Sequence, residues 1–165
     1  MIRAFVLALA LTACAAPARE QTAAAAFAPL MGCWRGDFEN QPGIQDERCF
    51  QTLGEHVVDT HAVRPTAYAG ETTYHLDETS GDIVFAYASN DGGRSNGAVR
   101  IDAERYVFAA HTHRGADGSE QRLRSTWTLE APDRLVMVSE REEGGAWRPF
   151  MRITYVRAPD LQPPQ

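Results

Sequence analysis

The sequence predicts an all-β domain, an antiparallel up-and-down β-barrel of about ten strands with one short N-terminal helix. Three observations carry that expectation. From residue 32 to residue 157 the chain runs through short segments rich in Val, Ile, Tyr, Phe and Thr, the residues that suit a pleated, half-buried surface. Turn chemistry separates them at short intervals. Asp91-Gly92-Gly93, Asp117-Gly118 and Gly144-Gly145 are hairpin signals, and Asp102-Ala103-Glu104 and Ala131-Pro132-Asp133 are further breaks. No segment after Leu30 carries a helical period. Short turns favour antiparallel neighbours, and ten such strands in succession close as a barrel, an open two-sheet sandwich being the alternative.

The elements follow in order. Met1-Ile2-Arg3 is a short positive start, and Ala4 to Leu11 is an unbroken apolar run. That run falls well short of the roughly twenty residues a membrane-spanning helix needs and has the length of a signal-peptide core. Leu11-Thr12-Ala13-Cys14 resembles the bacterial lipobox, which implies a signal peptide over 1–13 and a diacylglycerol on Cys14. An ordinary secretory signal cut after Ala13, Ala16 or Ala18 is the other reading, and both export the protein. Ala15 after the lipidated cysteine implies outer-membrane sorting, with the domain facing the periplasm. Residues 14–26 are low in complexity and read as a tether, with Ala23 to Leu30 forming a turn or two of helix that caps the fold.

The barrel domain is expected over 27–157, with strands at about 32–39, 46–52, 55–64, 68–77, 82–89, 94–102, 104–113, 119–130, 133–142 and 146–157. Residues 158–165, with three prolines, read as a disordered tail. Trp34, Gly36 and Phe38 share one face of the first strand, and Cys33 and Arg35 share the other. Phe50 takes the face opposite to Cys49. If Trp34 and Phe50 point inward, both cysteines point outward together, as a cross-strand bridge requires. With Cys14 taken by lipid, Cys33 and Cys49 are the pair left for an oxidising compartment.

Composition excludes several function classes. The formal charge of −6 opposes an electrostatic grip on nucleic acid. All basic residues are Arg, so Schiff-base chemistry, Ser–Lys dyads and P-loop lysines are ruled out.

At Gly32-Cys33-Trp34-Arg35-Gly36 the first strand resembles the opening of calycin-type barrels: lipocalins, fatty-acid-binding proteins and the nitrobindin-like group. Gly145-Ala146-Trp147 and Ile153-Thr154-Tyr155-Val156-Arg157 are similar to the close of uncharacterised bacterial proteins of that broad kind. The resemblance implies that Trp34 packs under Arg157 from the last strand, through a cation–π contact that closes the barrel. Nitrobindin-like barrels can carry haem on a histidine near the C-terminus. Here the last histidine is His113, so no cofactor is expected.

Several residues are candidates for chemistry. Gly93-Arg94-Ser95-Asn96-Gly97 matches the G-x-S-x-G pattern, but no helix follows to form the elbow that exposes a nucleophile, so a turn of small residues is the better reading. His111 and His113 point to one side of a strand and would make half of a metal site; further ligands would have to come from Asp59, His61, Glu71 or His75, and no metal is assigned. Asp59 and His61 share a strand face, and an exposed pair is the preferred reading over an inward pair that orients a ligand. Glu71 and His75 raise the same question. Asp59, His61, His75, Tyr87 and His111 are the residues expected to address a ligand where their faces turn inward. No set carries a reaction class, so catalysis is not expected. The expected function is a lipid-anchored envelope protein, held to the membrane through Cys14, that binds a small apolar or amphipathic ligand. The alternative is a non-enzymatic envelope interaction protein with a filled barrel. A cavity of several hundred cubic ångströms separates the two.

Overall fold

The structure is a computed structural model and describes residues 22–163. The expected signal peptide, the lipobox-like residues and Cys14 lie outside the described residues. Ten antiparallel strands follow in chain order: β1 (Gly32–Phe38), β2 (Gln45–Leu53), β3 (His56–Arg64), β4 (Ala69–Leu76), β5 (Ile83–Ser89), β6 (Arg94–Asp102), β7 (Arg105–Arg114), β8 (Glu120–Ala131), β9 (Arg134–Glu143) and β10 (Ala146–Arg157). Each pairs with its sequence neighbours, and β1 pairs with β10, so the sheet closes as an up-and-down barrel and the open sandwich is excluded.

Closure rests on a contact between the two ends of the barrel. Trp34 and Arg157 are register partners across β1 and β10. The indole is fully buried and donates from Nε1 to the Leu30 carbonyl at 2.8 Å. The Arg157 guanidinium lies 3.8 Å from the ring centroid and donates to the carbonyls of Pro29, Met31 and Pro132. Planarity lets one side chain cover the ring and tie three carbonyls from two backbone segments at once. Cys33 and Cys49 are opposite each other in the β1–β2 register and form a disulfide with sulfurs 2.03 Å apart.

One end of the barrel is plugged. Thr22 caps α1 (Ala23–Phe27) by accepting the Ala25 N–H, and a 3₁₀ turn over Ala28–Leu30 leads into β1. Ala23, Phe27 and Leu30 are fully buried, with the Phe27 ring 4.3 Å from Tyr74 and 5.1 Å from Tyr106, centroid to centroid. Phe50, Phe108, Trp127 and Leu135 complete this filled half. The packed unit therefore reaches beyond 27–157 on both sides. Ala23 belongs to the core, and Ala158, expected in the tail, is buried with its N–H donated to the Cys33 carbonyl at 2.9 Å.

The other half of the barrel is shaped by a bulge. The register of β7 slips by one residue after Phe108, before His111 against β8 and before His113 against β6. Ala109 and Ala110 are both exposed, so the alternation changes phase and His111 and His113 join the inner face that Tyr106 and Phe108 occupy.

Candidate functional site

The interior face of β2 and β3 holds a charged cluster. Phe50 points inward, and strand alternation carries Asp46 and Arg48 with it. On β3 the same alternation turns Val57, Asp59 and His61 inward. The preferred expectation that Asp59 and His61 form an exposed pair is thus corrected: they are 0% and 7% exposed. The reason lies on the neighbouring strand, which supplies a guanidinium to make their burial tolerable. Arg48 donates from Nε to Asp46 Oδ2 at 3.1 Å and from Nη1 to Asp59 Oδ2 at 2.6 Å. It also lies over the Trp127 and Tyr155 rings, 4.9 and 5.6 Å from their centroids. Tyr155 donates its hydroxyl to Asp46 Oδ2 at 2.8 Å.

A hydrogen-bond chain leads from this cluster across the wall. His61 Nδ1 is 2.8 Å from Asp46 Oδ1, His61 Nε2 is 3.2 Å from the Tyr87 hydroxyl, and the Tyr87 and Tyr68 hydroxyls are 2.6 Å apart. Two glycines make room for it. A Cβ on Gly70, which sits between β3 and β5, would come within 2.5 Å of the Tyr87 hydroxyl and 2.8 Å of His61 Nε2. A Cβ on Gly36 would collide with the Tyr155 ring, whose position delivers the hydroxyl to Asp46. Glycine inside a strand here marks a close approach.

Burial and charge act against each other within the cluster. Burial pushes the Asp46 carboxyl up, but the Arg48 guanidinium and the His61 and Tyr155 hydrogen bonds outweigh it and hold Asp46 well below the usual carboxylate range. Burial also pushes Asp59 up, and there Arg48 does not fully offset it. Asp59 Oδ1 is buried with no hydrogen-bond partner, which agrees with that direction. Burial and the Tyr68 hydrogen bond push the Tyr87 phenol up, so it stays protonated.

The opposite wall carries the histidine pair. Ser95 and His113 are register partners on β6 and β7, with Ser95 Oγ 2.9 Å from His113 Nδ1. No carboxylate among the described residues orients His113, so the serine of the G-x-S-x-G match lacks the third group of a hydrolase relay. His111 donates from Nδ1 to the Ala109 carbonyl at 2.9 Å and meets the Phe85 ring edge-on at 5.0 Å. Burial holds its pKa below the ordinary imidazole value. No group of three or more metal-ligating side chains converges among the described residues.

Asp59, His61, Tyr87 and His111 thus share the interior, while His75 does not. It faces outward, opposite to Tyr74, and stacks on His56 at 5.6 Å. Glu71 is exposed on the same outer face. Asp46, Arg48, Tyr68 and Tyr155 were not expected at the site. The first two had a readable signal, because placing Phe50 inward commits residues 46 and 48 to the same face.

Above the charged cluster the barrel holds a cavity of about 590 Å³. Its floor includes Arg48, Tyr74 and Trp127, and its mouth includes Gln41, Thr66 and Phe150, all three exposed. The fold is a closed ten-stranded antiparallel β-barrel. The solved structure of Rv2717c from M. tuberculosis is similar, with a TM-score of 0.60 and 14% identity over 82% of this chain and 97% of that one. No family model and no curated protein matches the chain.

Proposed function

We propose that this protein is a lipid-anchored envelope protein that binds a small amphipathic ligand inside its barrel. The cavity carries this reading: about 590 Å³ lies within the range of small-molecule sites, where a filled barrel would have left none. Its lining divides as an amphipathic ligand requires. Phe38, Ile44, Val63, Phe150 and Met151 are apolar, whereas Asp46, His61, Tyr68, Tyr87 and Ser95 offer polar atoms. The Cys33–Cys49 disulfide suits an exported protein, and the lipobox-like Leu11 to Cys14 supplies the anchor.

The test is binding of an uncharged fluorophore, N-phenyl-1-naphthylamine, followed by its emission. Saturable enhancement is expected, and Ser139→Phe should abolish it by filling the wall where Ser139 and Ser125 now share a 2.7 Å hydrogen bond. Absence of enhancement with a folded wild-type protein overturns the binding reading in favour of the interaction protein. The anchor is tested by detergent partition: Cys14→Ser should move the protein out of the detergent phase, and unchanged partition overturns lipidation.

A further inference from the structure

The direction of the hydrogen-bond chain restricts what a ligand can present to it. Asp46 is held ionised and only accepts, so an imidazole with a single ring proton at position 61 carries it on Nδ1, facing Asp46 Oδ1 at 2.8 Å. Nε2 is then a lone pair and takes the Tyr87 hydroxyl proton across 3.2 Å. With that proton committed, the Tyr87 oxygen accepts from Tyr68 at 2.6 Å. Every proton in the chain points toward Asp46. The end that lines the cavity, the Tyr68 oxygen, keeps only lone pairs to offer.

The charge of the cavity points the same way. Among the described residues Arg48 is the one guanidinium lining it, and the chain has no lysine. Arg48 is already bonded to two carboxylates, Asp46 and Asp59. The other ionisable groups on the wall are His61, His111, His113, Tyr68, Tyr74 and Tyr87, and His111 is biased by burial toward its neutral form. An entering carboxylate would lose its water without meeting an unpaired cation, and it has no proton to give to Tyr68.

Resting on the ligand-binding reading above, we propose that the cavity selects uncharged amphiphiles whose head group donates a hydrogen bond, a hydroxyl foremost, and excludes carboxylates. The experiment is competition at pH 8 against the same uncharged fluorophore by decanol, methyl decyl ether, decanoate and decylammonium, which share one alkyl chain. Decanol should displace at about tenfold lower concentration than decanoate and about threefold lower than the ether. Decylammonium, a donor that is charged, should also be weaker than decanol. Tyr68 is partly exposed, so Tyr68→Phe should fold, and with each competitor scaled to the variant's own fluorophore affinity, decanol's advantage over the ether should be reduced. Decanoate, ether or decylammonium binding as tightly as decanol overturns the proposal, as does an undiminished alcohol preference in Tyr68→Phe. Failure of the fluorophore to bind at all is a separate result, and it removes the ligand-binding reading itself.

Discussion

Replacing Arg48 with methionine isolates the ionic cluster that floors the cavity. The change keeps most of the stem that lies over Trp127 and Tyr155 and deletes the charge. Asp46 retains His61 and the Tyr155 hydroxyl. Asp59 keeps only the Tyr74 hydroxyl at 3.5 Å, and its Oδ1 already lacks a partner. Breaking a buried pair from one side costs about 3–5 kcal/mol, and the lost cation–π contact adds about 0.5–1 kcal/mol. Arg48→Met should therefore lose about 3.5–6 kcal/mol, a large part of the roughly 5–15 kcal/mol typical of a domain. Adding Asp59→Asn removes the stranded charge and should restore about 1–3 kcal/mol of that loss, a coupling expected of direct partners. The stranded carboxyl relieves itself by protonation, so its folded-state pKa rises above the unfolded one. The deficit of the single variant should then shrink as pH falls from about 7 toward 5. Urea unfolding followed by tryptophan fluorescence, with the disulfide intact, measures both variants, and an unchanged m-value keeps the comparison valid. A loss under about 1 kcal/mol for Arg48→Met, or a double variant no more stable than the single, would refute the cluster's assigned role.

Four further predictions use the same unfolding assay. Trp34→Ala should cost about 3–5 kcal/mol, because a fully buried indole leaves a cavity beneath Arg157; a loss below about 1 kcal/mol contradicts the closure described here. Arg157→Lys should cost less but measurably more than zero, since lysine keeps the charge and loses the stack and the fork. Replacing Cys33 and Cys49 together by serine should lower stability by roughly 3 kcal/mol on the chain-entropy account for so short a loop, and an unchanged Cm argues against it. His111 has its pKa lowered from 6.5 by burial, so the folded state favours neutral imidazole. Its contribution is complete above that value and is lost as pH falls through the lower folded-state value. His111→Gln should accordingly flatten the decline in stability below about pH 6.5, and an identical slope in the variant removes His111 as a cause.

The strand ladder was readable because its signals are local. Turn glycines and period-two alternation are written in consecutive residues, and every observed strand begins and ends within a residue of its expected position. The Cys33–Cys49 bridge was readable for the same reason, since two strands joined by a short turn have their register set by alternation. The site was only partly legible. His61 and Asp59 were visible as a pair on one face, but their side of the sheet depended on Arg48, a residue on another strand.

By itself the sequence determined an all-β chain of ten short strands, a helix ahead of them, and the pairing of two cysteines, because propensity, alternation and turn chemistry act over a few residues. Tertiary structure alone decided what the barrel encloses. The extra residue in β7 turned His111 and His113 inward by shifting the alternation at Ala109 and Ala110. Phe27 filled one half of the interior and left the other open. Asp46, Arg48, Asp59 and His61 became one cluster because buried charge is stable only beside its opposite, and that neighbour is supplied by strand pairing across the sheet.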